Sequence, residues 1–262
     1  MTALPELSYT RPRNLTQAIT ALRRRGARAY AGGTDLLVAL AHRHPWVRAV
    51  TELVDIKDLA VARGIADRRT SLRIGALTTA AELATHPAIG RHARALAEAA
   101  QQTAAPALRR RGTVGGNLGT PHPAADVTTA LLALGATLEV VGGDGRRRRV
   151  TVARYLRLST VRSRLILAVH VPKCPRSAFE RLGSRRGFSR SIVAVAVALG
   201  SPNGGVAIGG TAQRPFAANR TATALHRGGP LVDALAADGL APAHRRLLAV
   251  LTTRAHRRAQ RR

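Results

Sequence analysis

Two glycine-paired turns constrain this chain more than anything else in it: Ala31-Gly32-Gly33-Thr34-Asp35 and Gly112-Thr113-Val114-Gly115-Gly116-Asn117. Consecutive glycines reach positive φ at little cost. Lacking Cβ atoms, they also let the backbone approach a ligand and aim successive N–H groups at an anion. Each turn follows a strand or a break in the pattern and leads into a helix or second turn, so a ligand with two phosphates is expected between them.

At 262 residues the chain is long for one compact core and has room for two or three small subdomains. No apolar run approaches the roughly 18 residues of a membrane span. The first residues lack a basic start followed by an apolar stretch, so a soluble, cytoplasmic protein is expected. Cys174 is the only cysteine, which excludes an internal disulfide and any iron–sulfur cluster or cysteine-rich zinc site held by this chain alone. The formal net charge of +28 would ordinarily point to nucleic acid. Lys57 and Lys173 are the only lysines, however, and aromatics at 3% are too few for base-stacking platforms. The charge therefore reads as an arginine-rich solvated surface, and nucleic acid is not the expected partner.

The pattern predicts a helix over 15–25, capped by Asn14 and stopped by Gly26, then a strand over 28–31 running into the first turn. A short helix carrying Leu36, Leu37 and Leu40 follows. Strands are expected at 49–56 and 71–75, and helices at 78–85 and 88–103. The segment 108–123 is too rich in glycine and proline to be regular. A helix over 124–134 and a strand over 136–141 come next, then the turn Gly142-Gly143-Asp144-Gly145 and a partner strand over 146–152. The four arginines of that strand fit an exposed edge guarded by charge. After a strand at 164–171 come three short antiparallel strands at 177–183, 191–199 and 206–210, the last entered through Asn203-Gly204-Gly205. In the second of these Val193, Val195, Val197 and Leu199 share one face, and Ala194, Ala196 and Ala198 share the other, where a helix can pack close. A helix over 243–259 ends the chain, with Leu247, Leu248 and Leu251 toward the sheet and Arg257, Arg258, Arg261 and Arg262 toward solvent.

Asp35 would repel an anion, so it is expected to cap the following helix, leaving Gly32, Gly33 and Thr34 for the ligand. Thr113 and Asn117 flank the second glycine pair with groups that can hydrogen-bond phosphate or ribose. Asp126, on the first turn of a helix, is tolerated near a diphosphate if it binds a sugar hydroxyl. No serine–histidine–aspartate set, carboxylate pair or histidine cluster with metal-ligand spacing is present; His42 and His44 point to different helix faces and His122 stands between prolines. No catalytic side chain and no metal site is expected.

The stretches Ala31-Gly32-Gly33-Thr34-Asp35-Leu36, Ile74-Gly75-Ala76-Leu77-Thr78-Thr79, Arg111-Gly112-Thr113-Val114-Gly115-Gly116-Asn117-Leu118, Pro123-Ala124-Ala125-Asp126 and Phe179-Glu180-Arg181-Leu182 together resemble one family. It is the flavin-binding subunit or domain of the molybdenum hydroxylases, which includes carbon monoxide dehydrogenase medium subunits, xanthine dehydrogenase and aldehyde oxidase. The resemblance implies an α+β protein: a PCMH-type FAD-binding domain over 1–173, with subdomains of about 1–57 and 58–173, and a C-terminal domain over 174–262 with a three-stranded antiparallel sheet and helices. It implies that Ala31, Gly32, Gly33, Thr34 and Asp35, with Thr113, Val114, Gly115, Gly116 and Asn117, cradle the FAD pyrophosphate. It also implies that Asp126 meets the adenosine ribose region, Ile166 lies near the adenine, and Arg181 stands near the flavin where the family usually has lysine. Ala107, Leu108, Arg109 and Arg110 replace the family's usual Gln, aliphatic, Arg and Asn, and Gly119, Pro121 and His122 replace small residues.

The implied activity is a relay in an oxidoreductase complex. A molybdenum-cofactor large subunit oxidises substrate, a 2Fe-2S small subunit carries electrons, and FAD on this chain passes them to an external acceptor, in a heterotrimer or its dimer. The cysteine count agrees, since the clusters must then sit on a partner. Two rivals stand beside this reading: a stand-alone PCMH-fold flavoprotein oxidase or reductase, and a basic binding protein without flavin.

Overall fold

The computed structural model describes residues 4–120, 122–157, 165–185, 189–202, 204–211 and 214–261. Pro121, Arg164, Asn203 and Arg262, used in the sequence reading, lie outside them. The first unit comprises β1 (Ser8–Thr10), α1 (Leu15–Leu22), β2 (Ala27–Tyr30), α2 (Leu36–Ala41) and β3 (Glu52–Asp55). β3 is the middle of a three-stranded sheet, parallel to β1 and β2 on its two sides, and all its residues are buried. Asn14 caps α1 as expected, its Oδ1 accepting from the Gln17 N–H at 2.9 Å. The helix stops at Leu22 rather than Arg25, because the arginines that follow fasten the turn. Arg23 donates to the Gly143 carbonyl at 2.6 Å and Arg24 pairs with Glu52 at 2.7 Å, before Gly26 at φ +81° redirects the chain.

The second unit runs β4 (Ile65–Asp67), β5 (Ser71–Gly75), α3 (Ala80–Thr85), α4 (Pro87–His92), α5 (Arg94–Gln102), α6 (Pro106–Arg109), α7 (Val114–Gly119), α8 (Asp126–Ala133), β6 (Thr137–Val141), β7 (Arg147–Thr151), α9 (Val152–Arg157) and β8 (Leu165–Pro172). Its strands form a five-stranded antiparallel sheet in the order β4-β5-β8-β6-β7. The arginine-rich β7 is an edge, and Arg147, Arg148 and Arg149 are exposed, as charge guarding a free edge requires. Two expectations fail here. The helix predicted over 88–103 is broken at Ala93 (φ −151°, ψ 54°); the carbonyl of His92 accepts instead from the Cys174 N–H at 2.7 Å, tying this unit to the next. The segment 108–123, expected to be irregular, holds the end of α6 and all of α7.

The third unit comprises β9 (Ser177–Gly183), β10 (Ser191–Ala198), β11 (Val206–Gly209), β12 (Phe216–Ala217), α10 (Asn219–Arg227), α11 (Leu231–Ala237) and α12 (Pro242–Gln260). The three predicted antiparallel strands are present, and the two-residue β12 adds a fourth at the β11 edge. β10 serves two cores. Ala194, Ala196 and Ala198 join the large core with α5 and α8, while Val193, Val195 and Val197 pack with Leu248, Leu251, Ala255 and Ala259 of α12. Among the described residues, no helix is long and apolar enough to cross a membrane.

Candidate functional site

The two glycine turns, far apart in sequence, touch. A Cβ on Gly32 would lie 1.9 Å from the Arg111 carbonyl oxygen and 2.7 Å from its carbon, and one on Gly112 would lie 3.5 Å from Thr34 Oγ1. Glycine at 32 is therefore a packing requirement. The backbone N–H groups of Gly32, Gly33, Thr34 and Asp35 donate to no acceptor among the described residues. Four successive unsatisfied donors on one partly buried turn need a partner from outside the chain. Asp35 does not cap α2 as expected. It occupies the cap position with helical backbone angles (φ −104°, ψ −39°) instead of the extended ones a cap adopts, and its carboxylate makes no capping bond.

The second turn is built differently from the expectation of a nest. Thr113 caps α7, its Oγ1 accepting from the Gly116 N–H at 3.1 Å. Val114 N–H donates to the Thr78 carbonyl at 2.9 Å, Gly115 N–H to that of Ala76 at 2.8 Å, and Asn117 N–H to that of Thr113 at 2.9 Å. Those donors serve the protein, so the turn offers a ligand close approach. A Cβ on Gly115 would meet Ala76 O at 2.9 Å, which makes residues 76–78 the platform on which α7 rests. A Cβ on Gly116 would meet only Thr113 Oγ1, at 3.1 Å. The Asn117 carboxamide oxygen accepts from Thr128 N–H at 3.0 Å and Thr128 Oγ1 at 2.8 Å, locking α7 to α8 and leaving the NH₂ group for a ligand.

A third wall comes from the junction with the C-terminal sheet. Asp126 is 3% exposed; Ser191 Oγ donates to it at 2.7 Å and Arg181 Nη1 lies 3.5 Å away. Arg181 also donates to the Gln102 carbonyl at 3.0 Å and to Ser189 Oγ at 3.4 Å. Burial pushes the Asp126 carboxyl up to about 6, against the opposing pull of Ser191 and Arg181. The altered segment before the second turn is α6, whose Arg109 donates to the carbonyls of Ala104 at 2.7 Å and Thr103 at 3.2 Å.

These walls enclose one cleft of about 1130 Å³, and every residue singled out from the sequence borders it, from Ala31 to Asp35, from Thr113 to Asn117, and Asp126, Ile166 and Arg181. Typical small-molecule sites run to roughly 300–1,000 Å³, so this one suits a large ligand. The sequence reading missed two of its features. Arg28 lies 5.5 Å over the ring of Trp46, the chain's one tryptophan, and His122 also borders the cleft. Neither belongs to a periodic pattern, and only the flanking prolines of His122 hinted at an ordered position. Among the described residues no group of three or more metal-ligating side chains is assembled.

A family model described as the FAD binding domain in molybdopterin dehydrogenase matches residues 5–174. The nicotinate dehydrogenase FAD-subunit of Eubacterium barkeri is 33% identical over 186 residues, covering 67% of this chain and 62% of that protein. The xanthine dehydrogenase FAD-binding subunit of Escherichia coli O157:H7 is 35% identical over 182 residues, covering 68% and 60%. The chain thus spans about three fifths of the length of these curated relatives. The crystal structure of the Cu,Mo-CO dehydrogenase in its cyanide-inactivated form contains a chain that superposes with a TM-score of 0.86 at 25% identity, covering 98% of each.

Proposed function

The chain belongs to the family of FAD-binding domains of molybdopterin dehydrogenases, and from that premise we propose that it is the FAD-carrying electron-transfer subunit of a molybdenum hydroxylase complex. The free donors of Gly32 to Asp35, set against a glycine surface in one large cleft, carry this reading. They fit a pyrophosphate, which supplies anionic oxygens to donors that the fold leaves unmatched. Gly116 and Gly112 let the second turn approach the same group. Thr34 offers its hydroxyl and Asn117 its NH₂, while Arg181 and Asp126, paired at 3.5 Å, present one wall to the same part of the ligand and Ile166 adds an apolar contact. FAD, when bound, supplies the two-electron chemistry; the chain binds it, orients it and limits its exposure to water.

The FAD-binding domain is assigned to residues 1–173, with subdomains of about 1–57 and 58–173, and the C-terminal domain to 174–262. Its partners in this reading are a molybdenum-cofactor large subunit and a 2Fe-2S small subunit, in a cytoplasmic heterotrimer or its dimer. A single cysteine supports the assignment of clusters to a partner. Electrons leave through an external acceptor.

Titration of the flavin-free protein with FAD tests the proposal. Saturable uptake with a bound-flavin absorbance spectrum is expected, and wild-type protein that takes up no FAD overturns it. Gly116→Val should weaken FAD more than tenfold while leaving the thermal midpoint nearly unchanged. A Cβ there meets no atom within 4 Å except Thr113 Oγ1 at 3.1 Å, so the added bulk is expected to enter the cleft where a ligand would lie.

A further inference from the structure

His122 stands where the resemblance leads one to expect a small residue. Its ring borders the cleft between α7 and α8, and its Nδ1 accepts a hydrogen bond from the Ala124 N–H at 3.0 Å. A neutral imidazole whose Nδ1 is an acceptor carries its proton on Nε2. That Nε2–H donates to no acceptor among the described residues. The charged groups acting on the ring are Arg190, just before β10, and Asp35, the last residue of the first glycine turn. Burial and Arg190 hold its pKa below the usual imidazole range, with Asp35 pulling the other way, so the ring is neutral near pH 7.

We propose that His122 is a ligand-binding residue, donating from Nε2–H to a phosphate oxygen of the dinucleotide held by the first glycine turn. The inference rests on the FAD-binding reading and deepens it. His122 and the first glycine turn border the same cleft, and Asp35, whose own N–H is the last of the four free donors, is one of the charges acting on the ring. A purely structural role would use only Nδ1, to hold the turn at Ala124.

Two substitutions separate the roles. His122→Asn keeps an acceptor where Nδ1 was and removes the distal donor; His122→Gln keeps the distal donor and removes the near acceptor. The dissociation constant for FAD is read from the quenching of flavin fluorescence, from about pH 5 to 8. His122→Asn should lose about 10- to 100-fold in affinity at neutral pH, the range for one hydrogen bond to a charged group, with its thermal midpoint kept. His122→Gln should recover most of that affinity. Wild-type affinity should tighten as pH falls through the imidazole range, because protonation sets a cation against phosphate. Asp126 titrates in the same cleft in every variant, so the difference between wild type and His122→Asn isolates the histidine. A His122→Asn protein that binds FAD like wild type overturns the proposal, as does a His122→Gln protein no better than His122→Asn. If the wild-type protein binds no FAD, the functional reading falls with it.

Discussion

Gly32→Ala is expected to destabilise the protein by about 3 kcal/mol and to abolish FAD binding, because one methyl group must enter the contact between the two glycine turns. Its φ is not in the left-handed region, so the backbone itself tolerates alanine. The cost is overlap. A Cβ 1.9 Å from the Arg111 carbonyl oxygen, which is backbone and cannot swing aside, forces one turn away from the other. The turn at 111–112 is itself pinned, since Gly112 N–H donates to the Leu108 carbonyl at 2.7 Å and the Gly112 carbonyl accepts from Ala80 N–H at 2.9 Å. Gly90 provides the control: it lies inside α4 with nothing within 4 Å of a built Cβ, so Gly90→Ala should be neutral or stabilising by up to about 1 kcal/mol. Urea unfolding and an FAD titration on the two variants check this. A Gly32→Ala protein as stable as wild type would mean the turns do not touch.

Arg181→Met should cost about 3–5 kcal/mol at alkaline pH, because it strands a buried carboxylate without its cation. The side chains of Arg181 and Asp126 are 8% and 4% exposed, so solvent screening offers little relief. The sign of the pH dependence follows from the direction of the shift. The Asp126 pKa is raised in the folded protein to about 6, so the group's contribution is fully present below its unfolded value and is lost as pH rises through 6. Removing Arg181 raises that pKa further. The difference in stability between wild type and Arg181→Met should therefore be small near pH 5, where Asp126 is protonated in both, and should grow as pH rises beyond about 6. Adding Asp126→Asn to Arg181→Met should recover much of the loss, which a double-mutant cycle measures. A pH-independent deficit would show that lost packing, and not the charge, is what matters.

What could be read from the sequence was what repeats or stands alone. The alternation in β10, the apolar spacing of α12 and the Asn14 cap are local patterns whose structural outcome follows from period and hydrogen-bond chemistry. The residues of the cleft were legible as motifs, and all of them border it. What could not be read was set by contacts distant in sequence. The break at Ala93 depends on Cys174, and the helical form of residues 114–119 depends on the carbonyls of Ala76 and Thr78. Asp35 has the composition of a cap, but its backbone angles are set by the turn before it. Nothing near Asp126 in sequence reveals that Ser191 and Arg181 meet its carboxylate.

β10 bears on how the molecule comes apart. Apart from Ile192, its residues from Ser191 to Ala198 are buried, with alanines in one core and valines in the other. One strand that is a wall of both cores couples their melting. Although the family match ends at residue 174, calorimetry should show a single cooperative transition, and a chain cut after Lys173 should be unable to fold as an independent domain. The end of the family match at residue 174 would then fall inside one thermodynamic unit.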